Sequence, residues 1–399
     1  MYKRLNLLKE MMKWRDNDVI KVITGIRRCG KSTLMLMAKD AILKSGVASE
    51  NIAYINFEER KNSFLDSPEK VWNELDRQLI GDGKKYVFLD EVQRVSDFEK
   101  LVDGLYADKQ YDVYITGSNA WMLSGELASY LSGRYVEIHV TPFSFSEFTA
   151  DSNIHRFDAF LDYEKYGSFP FVRYLIEADR KEDAGQYLEG VFNTVLIKDV
   201  AMRMKMSDTA ALRRIAEYLF DNISNLTSIK RISDSLSETG GKVSYHSVET
   251  YIQSLCDAYV FYKCERVNVK GLEIFKSGVK YYAVDTGLRY YLNGNRGGDS
   301  GRILENIVFL ELKRRFGNVF TAQTKSGKEI DFVTRNHGEI RYFQVAESVR
   351  DEKVLARELA SLKEVRDNYP KFLITKDFEN RIVHDGIEQL NVFDFLLEM

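Results

Sequence analysis

Gly25-Ile26-Arg27-Arg28-Cys29-Gly30-Lys31-Ser32, followed by Thr33, matches G-x-x-x-x-G-K-[ST] at every fixed position. That spacing suits a triphosphate cradle. The glycines let the backbone curl until its N–H groups face phosphate oxygens, and the helix that follows adds partial positive charge. Lys31 is expected to reach the β- and γ-phosphates and the Ser32 hydroxyl to bind Mg²⁺, so ATP and Mg²⁺ are the expected ligands. Arg27 and Arg28 either contact phosphate or pair with acidic neighbours. Cys29 either has a thiol acidified by Lys31 and the helix start, or is a small side chain that fits the loop. The bland alternative is a glycine turn between strand and helix. The apolar run Val19–Thr24 before the loop and the helical pattern after it argue against that.

A second half-site lies downstream. Tyr86-Val-Phe-Leu-Asp90-Glu91 is an apolar strand ending in two adjacent carboxylates. Asp90 is expected to hold Mg²⁺ through its water shell, and Glu91 to orient or deprotonate an attacking water. The strand Val113–Thr116 runs into Gly117-Ser118-Asn119. Asn119, with Ser118 as the alternative, is either a hydrogen-bond partner for the γ-phosphate or water, or a cap for the next helix. Arg134, just before another strand, is either a finger that reaches a neighbouring subunit's phosphate or a surface ion pair.

The elements that must position these residues follow from periodicity. Over residues 1–150, strands at Val19–Thr24, Ile52–Phe57, Tyr86–Asp90, Val113–Thr116 and Arg134–Val140 alternate with helices such as Lys31–Leu43 and Pro68–Leu79. Buried strands alternating with helices predict an α/β unit with a mostly parallel sheet. Residues 151–209 have helical spacing only and read as a helical subdomain. Residues 210–292 run helix, helix, helix, strands, which suggests a winged helix-turn-helix. A glycine-rich loop then leads into a last α/β unit, 293–399, with a helix at Ile303–Phe316 and strands near Val319–Gln323, Glu329–Thr334 and Arg341–Ala346.

Composition narrows the classes. The chain has 399 residues, 44% hydrophobic, with a net charge of −3 from 57 basic and 60 acidic side chains. That length calls for several domains, and the near-neutral balance argues against a protein built mainly to coat nucleic acid. No apolar run approaches the roughly 18 residues of a membrane span, and the charged start is unlike a signal peptide. Cys29, Cys256 and Cys264 make no disulfide framework. The expectation is a cytoplasmic protein without a membrane partner.

The pieces Ile23–Thr33, Phe88–Val92, Ile115–Asn119 and Pro142–Phe148 resemble a widespread prokaryotic family of predicted AAA-type ATPases. Tyr166–Pro170, Lys198-Asp199, Gly301–Asn306 and Glu329–Val333 extend the match, with Gly167-Ser168 where the family usually has two glycines. The resemblance implies an AAA+-like P-loop core, a helical lid, a winged-helix element and a C-terminal domain resembling the PD-(D/E)XK restriction-endonuclease fold. In such a nuclease Glu305 would take the helix position and Asp331 the first strand position. Glu305 shares a helix face with Val308, Phe309, Leu312 and Phe316. The third position fails, because Gln344 stands for a carboxylate and Ala346 for the lysine. A degenerate, inactive site is expected.

The candidate recognition helix, Ser244–Ala258, has no Lys or Arg, whereas Lys263, Arg266, Lys270, Lys276 and Lys280 would form a basic wing. Docking to a protein partner or scaffolding is therefore favoured over DNA binding through the wing. The leading expectation is an ATPase, with further copies of itself as a candidate partner, that couples its nucleotide cycle to domain movement or partner remodelling. The alternatives are an ATP-gated DNA-binding protein with residual nuclease-like activity and a slow-turnover ATP-binding scaffold.

Overall fold

The computed structural model describes residues 2–117, 133–151, 154–202, 204, 208–240, 243–269, 271–275, 278–294, 299–336, 338–378 and 381–398. The chain forms two compact units. One comprises residues 1–142 with 257–259, the other residues 143–256 and 260–399.

The first unit is a five-stranded parallel sheet, β1 (Ile20–Thr24), β2 (Ile52–Asn56), β3 (Lys85–Asp90), β4 (Tyr111–Thr116) and β5 (Tyr135–His139), in the order β2-β3-β4-β1-β5. Its helices are α1 (Leu5–Met12), α2 (Lys31–Lys44), α3 (Pro68–Gln78) and α4 (Phe98–Ala107). Val22, Ile55, Leu89 and Ile115 share one sheet face and pack with Val71, Leu75, Leu101 and Leu105 of α3 and α4. Helix α2 packs against β3 and β4. Covering both faces explains why the strands read as continuous apolar runs. Lys21 interrupts one of these runs yet is fully buried, because Asp112 on β4 pairs with it. All five strands are parallel, so their carboxyl ends share one edge. The loops after β1, β3 and β4 therefore meet there.

In the second unit the helices Phe145–Thr149, Arg156–Tyr166, Pro170–Glu177 and Ala184–Thr194 come first. The segment 209–283 then runs helix, β6 (Leu226–Thr227), helix, helix, β7 (Phe261–Cys264), β8 (Arg266–Asn268), β9 (Val279–Ala283). Strands β6, β9 and β7 form a small antiparallel sheet in that order. The stretch Phe261–Asn268 is divided between two sheets. Its second part, β8, joins the large C-terminal sheet beside β10. That sheet has the order β14-β15-β13-β12-β11-β10-β8, with β10 (Val319–Gln323), β11 (Glu329–Asn336), β12 (Glu339–Ala346), β13 (Lys371–Thr375), β14 (Ile382–His384) and β15 (Ile387–Asn391). Relative to β10, strand β11 carries one extra residue between Ile330 and Val333, which is where Asp331 lies. A bulge of this kind re-aims the side chains beside it.

Candidate functional site

The loop Gly25–Gly30 turns from β1 into α2 under severe steric limits. Gly25 has φ +137, and a Cβ there would sit 2.0 Å from the Val140 carbonyl oxygen. Gly30, φ +106, is the N-cap of α2. Only residues without a Cβ tolerate both conditions. Lys31 is buried and donates to the carbonyls of Gly25 (2.9 Å) and Ile26 (3.2 Å), so its ammonium lies inside the curl. Ser32 and Thr33 follow at the first turn of α2, half-buried. Arg27 pairs with Glu58 at 3.3 Å, whereas Arg28 is exposed, with φ +71. Cys29 is fully buried and its thiol donates to the Val140 carbonyl at 3.1 Å. Burial pushes that thiol above its ordinary value against the opposing charges of Lys31 and Arg4, so the acidified-thiol alternative is set aside.

At the end of β3, Asp90 is fully buried. Its Oδ2 accepts from Tyr54 Oη (2.7 Å) and Asn56 Nδ2 (3.2 Å), and its Oδ1 accepts from Thr116 Oγ1 (2.6 Å). Burial, then the charge of Asp90, raises the Tyr54 phenol well above its usual value, which keeps it a donor. Thr116 also accepts from the Glu91 N–H at 2.8 Å. Glu91 adopts φ +58, and its Oε2 accepts from Gln93 Nε2 at 2.5 Å. One threonine at the tip of β4 thus joins both carboxylate residues at the tip of β3. Sequence spacing missed Tyr54, Asn56 and Thr116. For Asn56 and Thr116 the readable signal was a polar residue ending an apolar strand.

Three donors reach Asp90 from neutral groups, and a carboxylate offers about four acceptor positions. A water of a magnesium shell can therefore still be taken up, and the Ser32 hydroxyl is in the first turn of α2, just after the loop. This donor set suits Mg²⁺, which keeps several waters and uses few protein oxygens.

Asn119 and Ser118 lie outside the described residues. Arg134 stands at the amino end of β5, about 16 Å of strand from the edge that carries the loop. It bonds Asp103 at 2.7 Å, is 46% exposed, and lies over the Tyr106 ring. It does not reach its own chain's loop.

In the second unit, Glu305 and Asp331 come together, but around a lysine. Lys280, on β9, is 4% exposed and pairs with Glu305 (3.0 Å) and Glu329 (2.6 Å). Tyr282 also donates to Glu305, at 2.7 Å. Burial raises Asp331 well above the carboxylate range and the charge of Glu305 adds to that. Burial likewise raises Glu305, against Lys280. Gln344 lies beside Asp331, its amide oxygen accepting from the Asp331 N–H at 3.4 Å and from Ser361 at 3.3 Å, while its amide nitrogen donates to Glu358 at 3.0 Å. Among the described residues no group of three His, Cys, Asp or Glu is arranged to hold a metal ion. Lys280 is also lost to the expected basic wing. Lys263 pairs with Glu265, Arg266 lies over Phe275, and Lys270 and Lys276 are outside the described residues. No described helix is long and apolar enough to cross a membrane.

Comparison with known proteins agrees with the architecture. Residues 17–149 match the family described as an AAA domain, and residues 158–299 match a domain of unknown function. The Walker-type ATPase of Pyrococcus abyssi shares the fold at a TM-score of 0.51 and 15% identity, over 73% of this chain and 96% of that one. An uncharacterized protein of Methanocaldococcus jannaschii is 29% identical over 94% of this chain and 85% of its own length. An uncharacterized protein of Haemophilus influenzae is 38% identical over 100% of this chain and 99% of its own length. The chain belongs to the family of that Haemophilus influenzae protein, and its own residues 17–149 carry the match to an AAA domain.

Proposed function

We propose that the chain binds ATP with magnesium in the Gly25–Thr33 loop and hydrolyses it. One observation supports this most: Thr116 ties Asp90 and Glu91 together at the sheet edge from which the loop springs. In this reading the loop N–H groups and Lys31 hold the phosphates, while Ser32 and Asp90 hold the metal. Magnesium, when bound, neutralises phosphate charge. Glu91, released from Gln93, takes the proton of the attacking water. Asn119, outside the described residues, remains a candidate for orienting that water or the γ-phosphate. In a homo-oligomer Arg134 would leave Asp103 and meet a neighbour's phosphate.

The second unit, in this reading, carries the nucleotide cycle outward through a helical lid (151–209), a winged-helix element (210–292) and a nuclease-like tail (293–399). The β6-β9-β7 sheet, with one helix before β6 and two between β6 and β7, supports the winged-helix reading. Lys280 among the carboxylates supports a tail without nuclease activity, since an ammonium sits where a metal would need those oxygens. Mg²⁺-dependent DNA cleavage lost in Asp331→Ala would contradict that part.

Phosphate-release assays test the main reading. Glu91→Gln should lower ATP turnover by about 10²–10⁴-fold while Mg·ATP binding is retained. Turnover equal to that of the unmodified protein would contradict the general-base role.

A further inference from the structure

The loop is held from behind by a residue far from it in sequence. Arg4 precedes helix α1 and is 2% exposed. One guanidinium nitrogen donates both to the Cys29 carbonyl (3.1 Å) and to the Thr141 carbonyl (2.8 Å). Thr141 belongs to the segment just beyond β5 that flanks the loop. The Val140 N–H donates to Thr24 at 2.8 Å, the Cys29 thiol donates back to Val140, and the Val140 carbonyl leaves no room for a Cβ at Gly25. Arg4 therefore bolts the closed end of the loop to the rail beside it.

The geometry points to Arg4 as a positioning residue for the phosphates. This rests on the nucleotide-binding reading above. The Cys29–Gly30 peptide is planar and trans, so its C=O and N–H point in opposite directions. Holding the Cys29 carbonyl toward Arg4 turns the Gly30 N–H, at the start of α2, toward the side where an anion would lie. A guanidinium bonded to a carbonyl makes a stronger hydrogen bond than a neutral donor, so the peptide resists flipping. Arg4 also adds a positive charge close enough to oppose the raised value of the Cys29 thiol, and that field favours phosphate. Arg4 touches no substrate in this account. It acts through the peptide it fixes.

The test uses the full chain and titrates Mg·ATP and Mg·ADP into the unmodified protein, Lys31→Ala and Arg4→Met, with steady-state turnover alongside. Arg4→Met keeps the apolar stem and removes the donors. It should weaken both nucleotides about ten-fold or more and raise KM by a similar factor, with kcat within about three-fold. A merely structural role would lower the unfolding midpoint and leave the affinity of the folded protein alone. If Arg4→Met does not fold, Arg4→Gln is read the same way. Wild-type affinity and KM in a folded Arg4 variant, with binding lost in Lys31→Ala, would overturn this inference and leave the nucleotide reading standing. Absence of binding by the unmodified protein would overturn both.

Discussion

At the scale of residues, the two polar clusters have opposite characters. Asp90 is buried among neutral donors at the sheet edge from which the Gly25–Gly30 loop springs. Glu305 and Asp331 are buried around a cation of the chain's own, Lys280, and are already spoken for. Removing that cation leaves buried carboxylates without compensation. Lys280→Met should therefore destabilise the protein by about 3–5 kcal/mol in urea unfolding. Adding Glu305→Gln should recover part of the loss, and additive losses in the double variant would contradict the pairing. The loop was legible in the sequence because its chemistry is local: eight consecutive positions carry it. Lys280 was not, because its partners lie on a helix and on another strand far along the chain. The available hint was a lysine within the apolar stretch Val279–Ala283. Arg4 was hidden for a like reason, being one arginine in a charged segment, with acceptors 25 and 137 positions away.

At the scale of elements, turns and caps set what moves together. The Gly167-Ser168 turn meets Asp285 at the start of the helix Thr286–Asn293. Gly167 has φ +79, and a Cβ there would strike the Asp285 carboxylate at 2.0 Å. Ser168 is not among the residues with positive φ, and both its N–H (2.7 Å) and its hydroxyl (3.3 Å) donate to Asp285. The serine side chain thus adds a donor without backbone strain. Asp285 also accepts from the N–H groups of Gly287 and Leu288, capping that helix. Burial raises its carboxyl from 3.8 to about 6, against those donors. Between those values the folded form keeps a proton that the unfolded chain has released. The stability contributed by this group therefore falls as pH rises from about 4 to about 6 and is level above. An asparagine does not titrate, so the cost of Asp285→Asn should shrink from about pH 4.5 to about pH 7.5 in denaturant unfolding. A cost that grows over that range would contradict the assignment. Apolar strands and amphipathic helices were readable from period alone, but this joint was not. Its partners, Ser168 and Asp285, are 117 positions apart.

At the scale of the whole molecule, parallel topology decides which residues can cooperate. The loops after β1, β3 and β4 share one edge, whereas Arg134 begins β5 at the other. Any action of Arg134 on phosphate must then cross to a second copy. Mixing Arg134→Ala with Glu91→Gln subunits should restore turnover, since each copy supplies what the other lacks, and mixed assemblies that stay inactive would contradict the finger. The sequence pattern reached this far because alternating strands and helices allow few sheet orders. It did not reveal that β8 leaves the small sheet for the large one, since a three-residue strand carries no partner preference of its own. The whole account depends on nucleotide entering the first unit's cradle. Isothermal titration of Mg·ATP into the folded, full-length protein measures this directly. Saturable heat, abolished by Lys31→Ala with the fold intact, is the predicted result; no heat from the unmodified protein, or equal heat from both, would contradict it.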